Sequence, residues 1–416
     1  MKIGIISQYY PASYRPGFDT EFAQFVRDGY DIQIYSGGAM GAGADDETIK
    51  KFGLVERTKH YPNDARNVPP YLFSILGNVL TRPGYAVRAK SWADDVNVSS
   101  KAKVAEWVRM LRMPRRAPDL WLIHNLTSAI AFTWLKKAYP KTPIGLYYHG
   151  PEVPKYGTLD PTMVQQVWDE SDVVFTNTGW MAQHLIERGV HPNKLRVVPG
   201  GFDFGKFPED RPRTYRPNGT LRLISAGRLS DEKGMAFTLE AVKNVMQSGM
   251  TNIHYVIVGE GHLRPQLEQY VRDNGMANHV RFTGTLSSNE LFREVADADA
   301  LLLPSIKWGT FVENQARIVQ ETLLLKTAVI SSDIGGVPES IPDTWRAFSI
   351  PPENVPAWTD AIVRFEKIPA TELARMGEEA RTWVMKHYDI RVINDRLLKM
   401  TLGKPDPAPD SRYTKQ

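Results

Sequence analysis

The stretch PGGFDFGKFPEDRPRTYRPNGT, residues 199–220, decides how the chain divides. It is dense in glycine, proline and charge and has neither a helical nor a strand period, so it reads as a linker between two domains. Before it, short apolar runs recur at Lys2 to Ser7, Asp31 to Tyr35, Leu120 to His124, Ile144 to Tyr148, Val173 to Asn177 and Arg196 to Pro199. After it they recur at Leu221 to Ala226, Tyr255 to Gly259, Val280 to Thr283, Ala300 to Pro304 and Ala328 to Ser331. Each is near strand length and rich in Ile, Val, Leu or Tyr. Amphipathic stretches such as Thr20 to Arg27, Phe237 to Ser248 and Gln266 to Asn274 fill the gaps. Strand and helix in alternation imply parallel sheets with crossover helices, hence two doubly wound α/β domains. Two such domains facing each other across a cleft would offer a ligand the carboxyl ends of both sheets.

Composition bounds what that ligand can be. A chain of 416 residues, 42% of them hydrophobic, can bury two cores. With no cysteine, a disulfide scaffold, an iron–sulfur cluster and a thiolate zinc site are excluded, which suits the reducing cytoplasm. A net charge of +4 is too mild to mark a nucleic-acid binder. The opening MKIGIIS is shorter than a signal-peptide core, and no run approaches the ~20 apolar residues of a spanning helix. We therefore expect a soluble cytoplasmic protein, at most peripheral to the inner face of the membrane. Residues 402–416, rich in Pro, Asp and Lys, are expected to be disordered. One segment, VRMLRMPRRAPDLW, sets Arg109, Arg112, Arg115 and Arg116 among Met110, Leu111, Met113 and the preceding Trp107. It reads either as a seat on an anionic membrane or as an ordinary surface helix beside the core.

The loops after the second series of strands carry the chemistry. GRLSDEKG, residues 227–234, places Arg228 and Lys233 after a strand and just before a helix. Two cations there make a phosphate site, or they are loop charges paired with Asp231 and Glu232. The next strand ends in VGEGHL, where Gly259 and Gly261 let backbone approach a ligand closely. ENQARIVQE, residues 313–321, holds two glutamates that lie about 80° apart around a helix, so they cannot share one face. Asn314 is a good helix cap, which puts Glu313 in the preceding loop and Glu321 about two turns inside. Asp297-Ala-Asp299 directly precedes an apolar run and reads as a helix-to-strand turn rather than a metal site.

These motifs together resemble family 4 of the retaining glycosyltransferases. The resemblance rests on Gly227-Arg228-Leu, Glu232-Lys233-Gly234, Val258-Gly-Glu-Gly261, Val280-Arg-Phe-Thr-Gly284, Pro304-Ser305, Glu313-x7-Glu321 and Gly335-Gly336-x-Pro338-Glu339 in this order. His149-Gly150 after a strand and VVPGGFDFGKF at the domain boundary add to it. It implies a GT-B fold of two Rossmann-like domains: an acceptor-binding domain over 1–200 and a nucleotide-sugar domain over 201–385. A helix over 386–401 would cross back to the first domain and help govern closure. The implied activity moves a sugar from a UDP- or GDP-linked donor to an acceptor hydroxyl with retention, on a glycan or lipid-linked glycan in cell-surface polysaccharide or glycolipid synthesis. Arg228 and Lys233 match the ligands of the diphosphate, with Gly335 and Gly336 offering amides to it. Glu313 matches the contact to the sugar, Glu321 the contact to the ribose, and His149 a histidine beside the sugar. Gly17, Gly227, Gly259 and Asn314 complete the implied nucleotide-sugar site. Neither metal nor cofactor is required, because the charge that builds on the leaving diphosphate is met by fixed cations and backbone N–H groups.

The sequence also departs from the family. Glu313 is followed by Asn314-Gln315-Ala316 where Gly-Phe-Gly or Asn-Phe-Pro is usual, and Lys326 replaces the glycine of CGTPVI. The amino-terminal loop has Gly17 where a Gly-Gly pair is usual, so the acceptor side is built differently. The alternatives are a same-fold sugar-nucleotide epimerase and a non-catalytic sugar-nucleotide binder. A phosphorylase would need a recognisable pyridoxal lysine, and a nicotinamide oxidoreductase Gly-x-Gly-x-x-Gly after the first strand. Neither is found in the sequence.

Overall fold

The first apolar run, Lys2–Ser7, is strand β1 and is buried from Ile3 onward, as befits a parallel strand covered on both faces. In the computed structural model the described residues are all but 12–15, 39–45, 63–67, 96–99, 151–159, 209, 211, 411 and 414–416. β1 joins β2 (Asp31–Ser36), β3 (Thr58–His60), β4 (Leu120–His124), β5 (Ile144–Tyr148), β6 (Val173–Thr176) and β7 (Leu195–Val197) in a parallel sheet of order β3-β2-β1-β4-β5-β6-β7. A second parallel sheet contains β8 (Leu221–Ala226), β9 (Ile253–Val258), β10 (Val280–Gly284), β11 (Ala300–Leu303), β12 (Ala328–Ser332) and β13 (Ser349–Ile350), ordered β10-β9-β8-β11-β12-β13. Two doubly wound α/β domains are thus present, as the alternation implied. Every apolar run of the sequence became a strand. Two strands it did not show, β3 and β13, are the short ends of their sheets.

The chain forms two compact units. One comprises Met1–Asn177, Ala182–Phe202 and Ile390–Gln416, the other Thr178–Met181 and Asp203–Asp389. The last long helix, Ile390–Thr401, belongs to the first. Its Ile393, Leu397 and Met400 are buried with Tyr147, Val173, Phe175 and Val198, each such side chain contributing on the order of 1.5–3 kcal/mol. Asn394 Nδ2 donates to the carbonyl of Glu21 at 2.9 Å. The tail that follows, expected to be disordered, is instead tied down over its described part. Asp406 pairs with Arg396 at 2.8 Å, and the buried Asp410 pairs with Arg412 at 2.5 Å; residues 411 and 414–416 lie outside the described residues.

The segment that reads as a linker is fastened to the second unit from Asp203 onward. The buried Tyr215 hydroxyl donates to the carbonyl of Lys326, and the Arg216 N–H donates to Asp299 at 2.7 Å. Lys326 has φ +59°, a left-handed conformation that explains why glycine suits this position. Its ammonium pairs with Asp210 at 2.5 Å and with Glu378, so the side chain a glycine would lack holds the linker down. Asp299 also accepts from the Arg222 N–H at 2.8 Å. It stands between the helix Ser288–Asp297 and β11, at the helix-to-strand turn read from the sequence.

Of the basic segment, two arginines are held against the protein and two face solvent. Arg109 is only 3% exposed. It pairs with Glu106 at 2.5 Å and donates to the carbonyls of Ala131 and Pro62 at 2.9 and 3.1 Å. Arg112 donates to the carbonyl of His60 at 2.9 Å and lies over the Tyr71 ring. Met110, Leu111 and Met113 are buried, leaving Arg115 and Arg116 exposed. The alternation of cations and apolar residues serves the core, with the long arginine stems buried and their heads on carbonyls. No helix among the described residues is long and apolar enough to cross a membrane.

Candidate active site

In the second unit the strand order reverses between β8 and β11, so the loops leaving their carboxyl ends diverge and open a crevice. Residues 227–234 form the loop after β8. In it Asp231–Lys233 make one 3-10 turn, which leads into the helix Met235–Gln247. The loop after β11 carries Ser305 and Glu313. Across the reversal Lys233 Nζ lies 2.5 Å from Glu313 Oε2, and the Ser305 hydroxyl donates to the same oxygen at 3.2 Å. The lysine also stands 5.5 Å from the Phe311 ring. Both charged side chains are largely withdrawn from water, at 17% and 12% exposure, where a charge-assisted contact of this length is strong.

Arg228 is placed differently. Its side chain is 71% exposed and pairs with Glu232 at 2.8 Å, one of the two local pairings considered for this loop. Lys233 is in neither, and Asp231 pairs with His262 at 2.9 Å. The loop thus holds one withdrawn cation and one solvent-facing cation. An exposed pair of this kind is worth 0–1 kcal/mol, so Arg228 can be redirected toward an anion at little cost.

The glycines serve the chain itself before any ligand. Gly259 has φ +131°, and a Cβ there would fall 1.9 Å from the carbonyl oxygen of Gly227; one on Gly261 would fall 2.2 Å from that of Leu229. The loops after β8 and β9 therefore meet backbone to backbone, with the Leu229 N–H on the Glu260 carbonyl at 2.9 Å. Gly335, at φ +56°, brings its Cα against the carbonyl of Glu313, and the Gly336 N–H donates to that carbonyl at 3.1 Å. At these glycines the protein's own main chains approach closely, and the Gly336 N–H is taken by the backbone carbonyl of Glu313.

Asn314 is not a helix cap. The helix runs Arg317–Leu324 with Ala316 at its cap position and no side-chain capping bond. The Thr178 hydroxyl donates to Asn314 Oδ1 instead, and this fixes the loop beside Glu313. Glu313 is in the loop and Glu321 on the helix, as read, but Glu321 is the fifth helical residue rather than two turns in. Burial pushes its carboxyl pKa up, opposed by Arg317, whose Nε lies 3.9 Å away. The structure thus brings together Lys233, Glu313, Asn314, Gly227 and Gly259. It leaves Arg228 at the rim and Glu321 on the following helix with Arg317.

His149 and Gly17 lie in the first unit. Gly17 is in the first turn of the helix Pro16–Arg27. His149 follows β5, stacked on Tyr147 at 4.1 Å and 5.1 Å from Phe18. Its Nε2 is 3.0 Å from Nδ1 of His124, whose Nε2 is 3.3 Å from Glu21 Oε1. Neither Glu21 nor His124 stood out in the sequence. The available signal was a histidine closing an apolar strand run beside the reversal between β1 and β4.

Residues 23–206 match the family described as Glycosyltransferase Family 4, and residues 206–383 match Glycosyl transferases group 1. The two matches adjoin at the domain boundary. The chain belongs to the family 4 glycosyltransferases of GT-B fold. Among the relatives of this glycosyltransferase, the putative colanic acid biosynthesis glycosyltransferase WcaL of Escherichia coli is 22% identical over 96% of this chain and 99% of its own. The amylovoran biosynthesis glycosyltransferase AmsK of Erwinia amylovora is 23% identical over 88% of this chain and 91% of its own. The structure of Anabaena HepE in complex with UDP superposes with a TM-score of 0.67 at 16% identity, covering 97% of this chain and all of that one.

Proposed function

We propose that this glycosyltransferase moves a sugar from a nucleoside diphosphate sugar to an acceptor hydroxyl, with retention at the anomeric carbon, in the assembly of a cell-surface polysaccharide. The observation that carries the reading is the withdrawn Lys233–Glu313 pair across the β8/β11 reversal. A cation held there by a single carboxylate is poised to exchange it for a diphosphate, and the carboxylate so released can accept hydrogen bonds from sugar hydroxyls. In support, HepE has been solved with UDP and with UDP-glucose, and WcaL and AmsK are named for polysaccharide biosynthesis.

The roles follow from charge. As the bond from the anomeric carbon to the diphosphate breaks, negative charge grows on the leaving oxygen. Lys233, joined by Arg228 from the rim, stabilises it. The acceptor oxygen bonds to the same face of the anomeric carbon, and its proton passes to the departing phosphate oxygen, so no side-chain base is needed. From the family resemblance, and not from charge, Glu313 is assigned to the sugar hydroxyls, Glu321 to the ribose diol and His149 to the sugar. Since these cations meet the charge, transfer is expected to survive chelation of divalent metals. The test is a thermal-shift screen with UDP, GDP and ADP and their sugars, then a transfer assay with the stabilising donors. Tight nucleotide binding with neither transfer nor donor hydrolysis would overturn the enzymatic reading.

A further inference from the structure

In the first unit the strand order reverses between β1 and β4. At the carboxyl ends of β4 and β5, beneath the helix Pro16–Arg27, three titratable side chains stand in line: Glu21, His124 and His149. Glu21 and His124 are buried, His124 completely. The surrounding walls are aromatic. Phe18 lies 4.7 Å from the His124 ring and 5.1 Å from His149, Phe22 meets His124 edge-on at 5.4 Å, and Tyr147 stacks on His149. The two imidazoles are nearly parallel, 9° apart in plane. Glu21 Oε1 and His124 Nε2 are both buried, and neither has a conventional hydrogen-bond partner among the described residues. Each is the other's polar neighbour. The bond from Asn394 to the Glu21 carbonyl fixes the backbone from which the carboxylate projects.

We propose that Glu21 and His124 are positioning residues that set which ring nitrogen of His149 carries its proton. A carboxylate oxygen 3.3 Å from Nε2 only accepts and repels a lone pair there, so it favours the proton of a neutral His124 on that nitrogen. A neutral His124 then has a bare Nδ1, which can only accept. The 3.0 Å contact is made by His149 donating from Nε2, and the neutral His149 ring is left with a bare Nδ1. In that form the imidazole accepts rather than donates at Nδ1, which suits it to the proton of a sugar hydroxyl and not to a bare phosphate oxygen. The logic is that of a histidine ligand whose outer partner fixes its tautomer, here with a second histidine interposed. The functional consequence rests on the assignment of His149 to the sugar; the proton position does not.

The experiment keeps these apart. Full-length protein carrying ring-15N histidine is examined at pH about 8, above the ordinary imidazole range, with His149 assigned by loss of its signals in His149→Asn. The expected spectrum shows His149 Nε2 as a protonated nitrogen and Nδ1 as a bare one. Finding the proton on Nδ1 would mean that His124 donates to His149, and would overturn the proposal. Glu21→Gln keeps the shape but presents an amide N–H able to donate to His124. It is expected to populate the Nδ1–H form of His149, while Glu21→Asp, which keeps the carboxylate, retains the wild-type form. A His149 spectrum unchanged in Glu21→Gln refutes control by Glu21. In the transfer assay Glu21→Gln should lower kcat/KM for the sugar donor by about 10-fold, the lower end of what outer partners of functional histidines contribute, and Glu21→Asp should recover most of it. Unimpaired transfer by His149→Asn would refute the role of His149 at the sugar, while the spectra alone decide the proton position.

Discussion

Lys233→Ala tests the site most directly, because the lysine pairs with Glu313 in the structure and has a second, separable role in the proposed reaction. In the ligand-free protein the substitution strips Glu313 of its countercharge and leaves it the Ser305 hydroxyl at 3.2 Å. A fully buried pair broken from one side costs about 3–5 kcal/mol. Here both side chains keep some contact with solvent, at 17% and 12%, so the expected loss of stability is smaller, about 1–3 kcal/mol. The second effect is on the leaving diphosphate. Losing one fixed cation should lower the turnover number by about 100-fold or more, or roughly 2.7 kcal/mol of transition-state stabilisation. The double variant Lys233→Ala with Glu313→Gln separates the two, since the neutral amide no longer strands a charge. It should regain at least half of the lost stability and none of the turnover. The measurements are urea denaturation and single-turnover transfer at saturating sugar donor. Turnover of Lys233→Ala within threefold of wild type would refute the assignment. So would a double variant that recovers stability and turnover together, because the loss would then be one of folding.

Arg228→Ala should leave stability within about 0.5 kcal/mol of wild type, since the residue is exposed and singly paired, and yet lower turnover by about 100-fold; denaturation curves and transfer rates check both halves. At Lys326, held at φ +59°, Ala should be about 1 kcal/mol less stable than Gly in urea, because the side chain without the ion pairs keeps only the strain. Glu321 gives a pH dependence. Its folded pKa is raised by burial, so the folded state holds its proton more tightly than the unfolded chain. The resulting penalty is absent below the unfolded glutamate value of about 4.3 and grows as pH rises through the folded value. Glu321→Gln should therefore be more stable than wild type at pH 7, with the advantage vanishing toward pH 4, while nucleotide binding weakens by calorimetry.

Much of the fold was legible because parallel strands buried on both faces leave continuous apolar runs, and Leu221 to Ala226 or Ala300 to Leu303 can hardly be read otherwise. Thr58–His60 and Ser349–Ile350 left no run, being short strands at sheet ends whose pairing is set by the neighbour. In the site, it was legible from spacing alone that Glu313 and Glu321 cannot share a helix face. The role of Asn314 was not, because local capping preference lost to a hydroxyl 136 residues away in sequence. Arg109 misled for the same reason. Glu106 is one turn off, but the carbonyls of Pro62 and Ala131 that make its burial tolerable come from distant segments. The line from Glu21 to His149 joins a helix to two strand ends, and no periodicity marks a contact of that range.

The meeting of main chains at Gly259, Gly261 and Gly335 bears on how such an enzyme can be re-engineered. At these three positions carbonyls pack directly against Cα atoms, and this floor of main chain tolerates no side chain whichever sugar is offered. In a saturation library these glycines would be depleted under selection for folding alone, before any donor is supplied. Arg228, standing in solvent, would be depleted only under selection for transfer. Comparing the two selections sorts scaffold from chemistry without a bound ligand. It also directs redesign of sugar choice to the side chains around the floor.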